Sequence, residues 1–212
     1  MNGSYITIQR SASDEVTIQK SRFIGYANPC ETEEEAQKFI QSLREKHRDA
    51  KHHCYAYIIG QNSGIMRYSD DGEPGGTAGM PMMDVLKKEG IVNCCVVVVR
   101  YFGGVLLGTG GLVRAYTQGC KIALAAAGII IMELSETVRC RVSYPVWNQL
   151  QYALSKMNLR VENVAYQDTV EFSLCARKTD IDAVRDSVGN IAEGKAEWLG
   201  CEEKYLPWTN IG

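Results

Sequence analysis

"NCCVVVVRYFGGVLLGTGGLVRAY", residues 93–116, decides how the chain folds. Cys94–Val99 is a continuous run of cysteine and valine, without the polar alternation of a half-exposed strand. It predicts a strand buried on both faces, and therefore a sheet that is covered on both sides. On such a strand the adjacent Cys94 and Cys95 point to opposite faces. "RYFGGVLLGTGG", residues 100–111, reads as a glycine-rich loop. "LVRAYTQGCKIALAAAG", residues 112–128, reads as a long helix whose small residues allow close packing on the sheet.

Toward the N-terminus, residues 5–28 read as strands. "ETEEEAQKFIQSLREKH", residues 31–47, reads as a helix: Thr32 and Glu35 have capping-box spacing, and Ala36, Phe39, Ile40 and Leu43 make one apolar face. "HHCYAYIIG" (52–60) predicts a strand and "GIMRYS" (64–69) its hairpin partner. "MPMMDVLKKEG" (80–90) predicts a short helix ended by Gly90. Toward the C-terminus the pattern restarts near residue 134. "ETVRCRVSYP" is a strand, 147–157 a helix, "LRVENVAY" and "TVEFSLCA" two tightly joined strands, 180–190 a helix, and "AEWLGCEEKY" a last strand. This β-α-β-β-α-β order is that of a ferredoxin-like split βαβ unit. The expected architecture is α+β with two domains, residues 1–133 and 134–212.

Composition narrows the function classes. With 212 residues, 45% of them hydrophobic, the chain can bury a core, and a formal net charge of −2 excludes a uniformly basic nucleic-acid binder. Residues 1–20 lack the apolar segment of a secretory signal, and the longest apolar stretch, "IALAAAGIIIM" (122–132), is too short to span a bilayer. The expected location is the cytosol, with no membrane partner. The eight cysteines include no CxxC pair, so most are expected to be free core thiols.

The glycine segment carries the first candidate site. Gly103, Gly104, Gly108, Gly110 and Gly111 lie between a buried strand and a long helix, flanked by Arg100 and Arg114. They serve either as backbone hinges or as an anion cradle at a helix start. Neither GxGxxG nor GK[ST] is present, which excludes a Rossmann or P-loop nucleotide site. Arg114, Gln118 and Lys121 share one helical face, a solvated surface or a strip that touches phosphates. His47, Arg48, Lys51, His52 and His53 form a second basic patch, for which a helix C-terminus is sufficient explanation. "YSDDGEPGGTAGMP", residues 68–81, is the second candidate site. Its Asp70, Asp71 and Glu73, beside Thr77, either cap the glycine-rich backbone and neighbouring arginines such as Arg67 or Arg100, or hold a hydrated divalent ion. No Ser-His-Asp or Cys-His order accompanies them.

Five motifs occur in order: "SRFIGYA", "TEEEAQKFI", "HHCYAYIIG", "YSDDGEPGGTAGMP" and "VVVVRYFGGVLLGTGGLVRAY". Together, over residues 16–128, they resemble the IMPACT family, specifically its bacterial YigZ-type members. The resemblance implies a first domain similar to domain IV of elongation factor G and to a domain of a small-subunit ribosomal protein. It implies a second domain similar to the ferredoxin-like domains of elongation factor G. Eukaryotic relatives act in translational control through a partner of a stress kinase, a role not carried over to this chain. Asp70, Asp71, Gly72, Glu73, Pro74, Gly76, Thr77, Gly79 and Pro81 match the acidic loop, and Arg100–Gly104, Leu107, Gly108, Gly110, Gly111 and Arg114 the glycine loop. Gly75 stands where other members often have Ser or Ala, so no hydroxyl role is assigned there.

The resemblance transfers no catalytic residue, and whether the chain is an enzyme stays open. The expected function is binding of RNA or the ribosome in translation regulation, through Arg100, Gly103, Gly104, Gly108, Gly110, Gly111, Arg114, Lys121, Asp70, Asp71, Glu73 and Thr77. No cofactor or metal is expected, and no protein partner is named. The alternatives are a metal-assisted hydrolase using the acidic loop and a protein–protein adaptor.

Overall fold

The computed structural model describes residues 3–210. Its elements run β1 (Ser4–Ile8), β2 (Ala12–Ile18), β3 (Ser21–Pro29), α1 (Glu33–Lys46), β4 (His52–Ile59), β5 (Ile65–Ser69), α2 (Gly79–Glu89), β6 (Cys94–Tyr101), α3 (Gly108–Ala127), β7 (Ile129–Val142), α4 (Tyr144–Leu154), β8 (Arg160–Tyr166), β9 (Val170–Arg177), α5 (Ile181–Ile191) and β10 (Glu197–Asn210). The fold is α+β, with two sheets. The described residues divide into two compact units, Ser4–Met132 with 208–210, and Glu133–Pro207.

In the first unit the sheet order is β2-β3-β6-β4-β5, every neighbour antiparallel. β6 occupies the centre, with Cys94–Val99 wholly buried. Cys94, Val96 and Val98 pack with Met82 and Leu86 of α2 and with Tyr116 and Cys120 of α3. Cys95, Val97 and Val99 pack with Ala36, Ile40 and Leu43 of α1. The two cysteines therefore enter different cores, as side-chain alternation along a strand requires. α1 is capped by Thr32, whose Oγ1 accepts the Glu35 N–H at 3.2 Å. The Glu35 carboxylate reaches back to the Glu31 N–H at 2.7 Å, one residue beyond the expected capping box. Gly90, at φ 66°, ends α2.

One boundary of α3 differs from the sequence reading, and the other agrees with it. α3 starts at Gly108, so Gly108, Gly110 and Gly111 form its first turn and not a loop before it. It stops at Gly128, φ 74°, and the isoleucines that follow belong to β7, since β-branched side chains favour a strand once the helix is broken. Packing of α3 on the sheet needs glycine on both sides. A Cβ on Gly25 of β3 would stand 2.1 Å from the Gly119 carbonyl oxygen, and one on Gly119 would stand 3.0 Å from Val98 Cγ1.

In the second unit β9 pairs antiparallel with both β7 and β8, and β10 pairs with β7. The order β10-β7-β9-β8 is the ferredoxin-like arrangement read from the sequence. Its core joins Val138, Phe172 and Leu174 of the sheet to Trp147 and Leu150 of α4 and Val184 and Val188 of α5. The Trp147 and Phe172 ring centroids are 4.6 Å apart. The restart near residue 134 falls inside β7, which is continuous from Ile129. All eight cysteines are free thiols, and Cys201 alone is exposed. Among the described residues, no helix is long and apolar enough to cross a membrane.

Gly25→Ala is expected to destabilise the first unit by about 3 kcal/mol, because neither a strand nor a helix backbone can yield to a new methyl. Gly189→Ala in α5, where no atom lies within 4 Å of the added carbon, is expected to stabilise by about 0.5–1 kcal/mol. Urea unfolding of the two variants checks both signs.

Candidate functional site

The three carboxylates of the acidic loop turn in three directions. Asp70 caps the start of α2: Oδ1 accepts the N–H groups of Ala78 at 3.0 Å and Gly79 at 2.8 Å, and Oδ2 accepts that of Gly76 at 2.8 Å. Asp71 binds β4 and α1, with Oδ2 on the His53 N–H at 2.6 Å and Oδ1 on Arg44 at 3.1 Å. Glu73 points inward, and its Oε1 accepts both Arg100 Nη1 and the Tyr116 hydroxyl at 2.7 Å each. Thr77 Oγ1 donates to the Pro74 carbonyl. Among the described residues, no group of three or more His, Cys, Asp or Glu could hold a metal ion. With each carboxylate bonded to protein donors on a different element, the loop lacks the convergent geometry that metal-assisted hydrolysis needs.

Arg100 is not the surface cation that the sequence suggested. It is 5% exposed, because the alternation of β6 sends residue 100 to the α3 face with Val96 and Val98. Its pair with Glu73 is buried on both sides. The guanidinium carbon lies 5.4 Å from the Phe23 ring centre and 5.5 Å from that of Phe102. Burial pushes the Tyr116 phenol well above its usual range, so it stays protonated and donates to Glu73. Burial likewise raises the Cys54 thiol, which donates to the Asp70 carbonyl at 3.0 Å. Among the described residues two valences stay unused in this network: Arg100 Nε is sealed from solvent without an acceptor, and both donors to Glu73 fall on Oε1, leaving Oε2 without one.

Above this network lies a cleft of about 450 Å³. Its buried lining is Glu73, Arg100 and Leu112; its exposed lining includes Lys51, Phe102, Leu106 and the first residues of α3, Gly108 and Thr109. Phe102 and Leu106 are 55% and 85% exposed, unusually open for large apolar side chains. His52 also lines the cleft; its Nδ1 donates to the Asp71 carbonyl at 2.9 Å, so Nε2 is the acceptor it offers in the neutral ring. α3 starts without a side-chain cap and without an acid in its first turn. Its leading N–H groups have no partner inside the helix, and they carry the positive end of its dipole.

The remaining expected residues divide. Gly103 is structural: its N–H donates to Ser21 Oγ, and a Cβ there would lie 2.0 Å from the Lys20 backbone. Gly108 takes φ 69° and Gly104 φ 83°, which turn the chain from β6 into α3. Around Gly110 the space is open, whereas a Cβ on Gly111 would meet Leu107. Arg114 and Lys121 are exposed on α3 and have no ion pair among the described residues. Lys121 lines a separate groove with Asp84 and Lys88, so the helical strip does not converge on the cleft.

The sequence reading assigned Lys51 and His52 to a different patch and gave Phe102 and Leu106 no role. The β4–β6 register, which sets His52 opposite Arg100, brings the first pair in. No signal in the sequence separates the apolar pair from its neighbours Tyr101, Val105 and Leu107.

Arg100→Met alone is expected to cost about 3–5 kcal/mol, since it strands a buried carboxylate. The double variant Arg100→Met/Glu73→Leu is expected to recover most of that loss. Urea unfolding of wild type, both single variants and the double variant measures the coupling.

Residues 19–124 match the Impact N-terminal domain, and residues 140–195 match a domain of unknown function (DUF1949). The chain is 36% identical over 203 residues to the IMPACT family member YvyE of Bacillus subtilis (strain 168), covering 96% of this chain and 94% of that protein. It is 34% identical over 188 residues to the IMPACT family member YigZ of Escherichia coli (strain K12), covering 88% and 92%. A crystal structure described as that of a hypothetical protein, 32% identical, superposes with a TM-score of 0.60 over 96% of this chain and 100% of that one. With both domains matched and relatives aligned over nearly their whole length, the chain belongs to the IMPACT family, in its bacterial YigZ type.

Proposed function

We propose that the chain binds RNA, on the ribosome or free, through the start of α3, and acts in translation by doing so. The observation that carries this reading is the uncapped first turn of a 20-residue helix opening into a cleft at Gly108 and Thr109. A helix start offers several N–H donors and a positive dipole end to one anionic oxygen group. Lys51 adds a cation at the cleft, and the exposed Arg114 stands further along α3. RNA is recognised largely through shape, backbone phosphates and unstacked bases, which local charge can serve on a chain whose net charge is −2. Asp70, Asp71 and Glu73 accept hydrogen bonds from donors on different elements, which supports the binding reading over metal-assisted hydrolysis by the acidic loop.

Gly110→Asp is the discriminating variant. Its Cβ meets nothing within 4 Å, and a carboxylate in the first turn stabilises a helix by about 0.3–1 kcal/mol. The variant is therefore expected to unfold at equal or higher urea concentration than wild type. It is nonetheless expected to lose co-sedimentation with ribosomes and binding to fluorescent RNA at low salt. Arg114→Glu is expected to weaken RNA binding and to flatten the plot of log affinity against log salt by about 0.7 per lost phosphate contact. Unchanged association of Gly110→Asp with RNA and ribosomes contradicts the proposed function.

A further inference from the structure

We infer that the cleft is a nucleotide-sized site, which seats one unstacked nucleotide with its phosphate on the start of α3 and its base over the buried Arg100–Glu73 pair. The inference rests on the RNA-binding reading for its biological source, but its chemistry applies equally to a free nucleoside monophosphate.

Three independent features meet in one cavity. The helix start supplies an anion site at Gly108 and Thr109. Phe102 and Leu106 supply exposed apolar surface beside it, and an exposed aromatic ring is the usual platform for a base. The third feature is the buried pair. Glu73, its side chain 4% exposed, lines the cleft, and its Oε2 has no donor among the described residues. Arg100 Nε is sealed from solvent and takes no part. A bare phosphate uses only the first feature. An acyl chain or apolar peptide side chain would leave Glu73 Oε2 unpaired, which is costly in a buried place. The edge of a nucleobase presents donors that answer it. His52 Nε2 adds one more acceptor on the same cavity. The volume, about 450 Å³, lies within the range of small-molecule sites, about 300–1,000 Å³.

The test uses the full chain, with binding followed by NMR titration to millimolar ligand. The probes are the four nucleoside 5′-monophosphates, their nucleosides, inorganic phosphate and a short single-stranded RNA. At least one monophosphate is expected to bind ten-fold or more tightly than both its nucleoside and inorganic phosphate. Phe102→Ala is expected to weaken that monophosphate about 5- to 100-fold, the range for loss of one stacking platform, and to leave inorganic phosphate unchanged. Gly110→Asp is expected to abolish binding of both monophosphate and phosphate. Equal affinity for phosphate and monophosphates, no monophosphate binding, or indifference to Phe102→Ala and Gly110→Asp overturns the inference. If the RNA binds with none of these sensitivities, the nucleotide site fails and RNA binding stands on another surface. If monophosphates behave as expected and RNA does not bind, the RNA reading fails and the site serves a free nucleotide.

Discussion

The buried bond between Arg100 and Glu73 is the constraint on which the first unit depends. It ties the end of β6 to the acidic loop, and the Tyr116 hydroxyl on the same carboxylate oxygen ties both to α3. A charge pair removed from water is rarely a net source of stability, but once present neither partner can be lost alone. It therefore specifies position more than it adds energy: residues 70–79, the last residue pairs of β6 and the first turns of α3 are held in one arrangement. The cleft is the space left over where these three segments meet.

The acidic loop completes that arrangement from the other side. Asp70 accepts the N–H groups of Ala78 and Gly79 at the start of α2 and that of Gly76 in the loop before it, so α2 begins capped and neutralised. α3 begins with no such cap. Two helices of one unit thus start in opposite electrostatic states, and only the uncapped one opens into the cavity. This asymmetry separates the scaffold role of the acids from the binding role of the glycines, although the two motifs look equally functional as strings of letters.

Much of the fold was legible because it is written in local pattern. The unbroken Cys94–Val99 run announced a strand covered on both faces, which the structure places at the centre of its sheet. The start of α3 was misplaced because Gly108, Gly110 and Gly111 have poor helix propensity; packing of Leu112, Tyr116 and Cys120 against the sheet overrides it. The site was less legible, for a reason of register. Whether Arg100 faces solvent or core depends on which side of β6 is covered by α3, and one residue of slip reverses it. Likewise, His52 reaches the cleft only through its pairing with Arg100 across β4 and β6. Partners distant in sequence, such as Glu73 with Tyr116, leave no periodic trace.

The most direct test of the account is a residue-resolved map of RNA binding by backbone amide shifts in NMR. On titration with RNA, the account predicts that the amides of Gly108, Thr109, Gly110 and Gly111 move first and saturate together, with the Phe102 and Leu106 signals following the same curve. Saturable shifts confined to other surfaces, with the first turn of α3 unmoved, would contradict it.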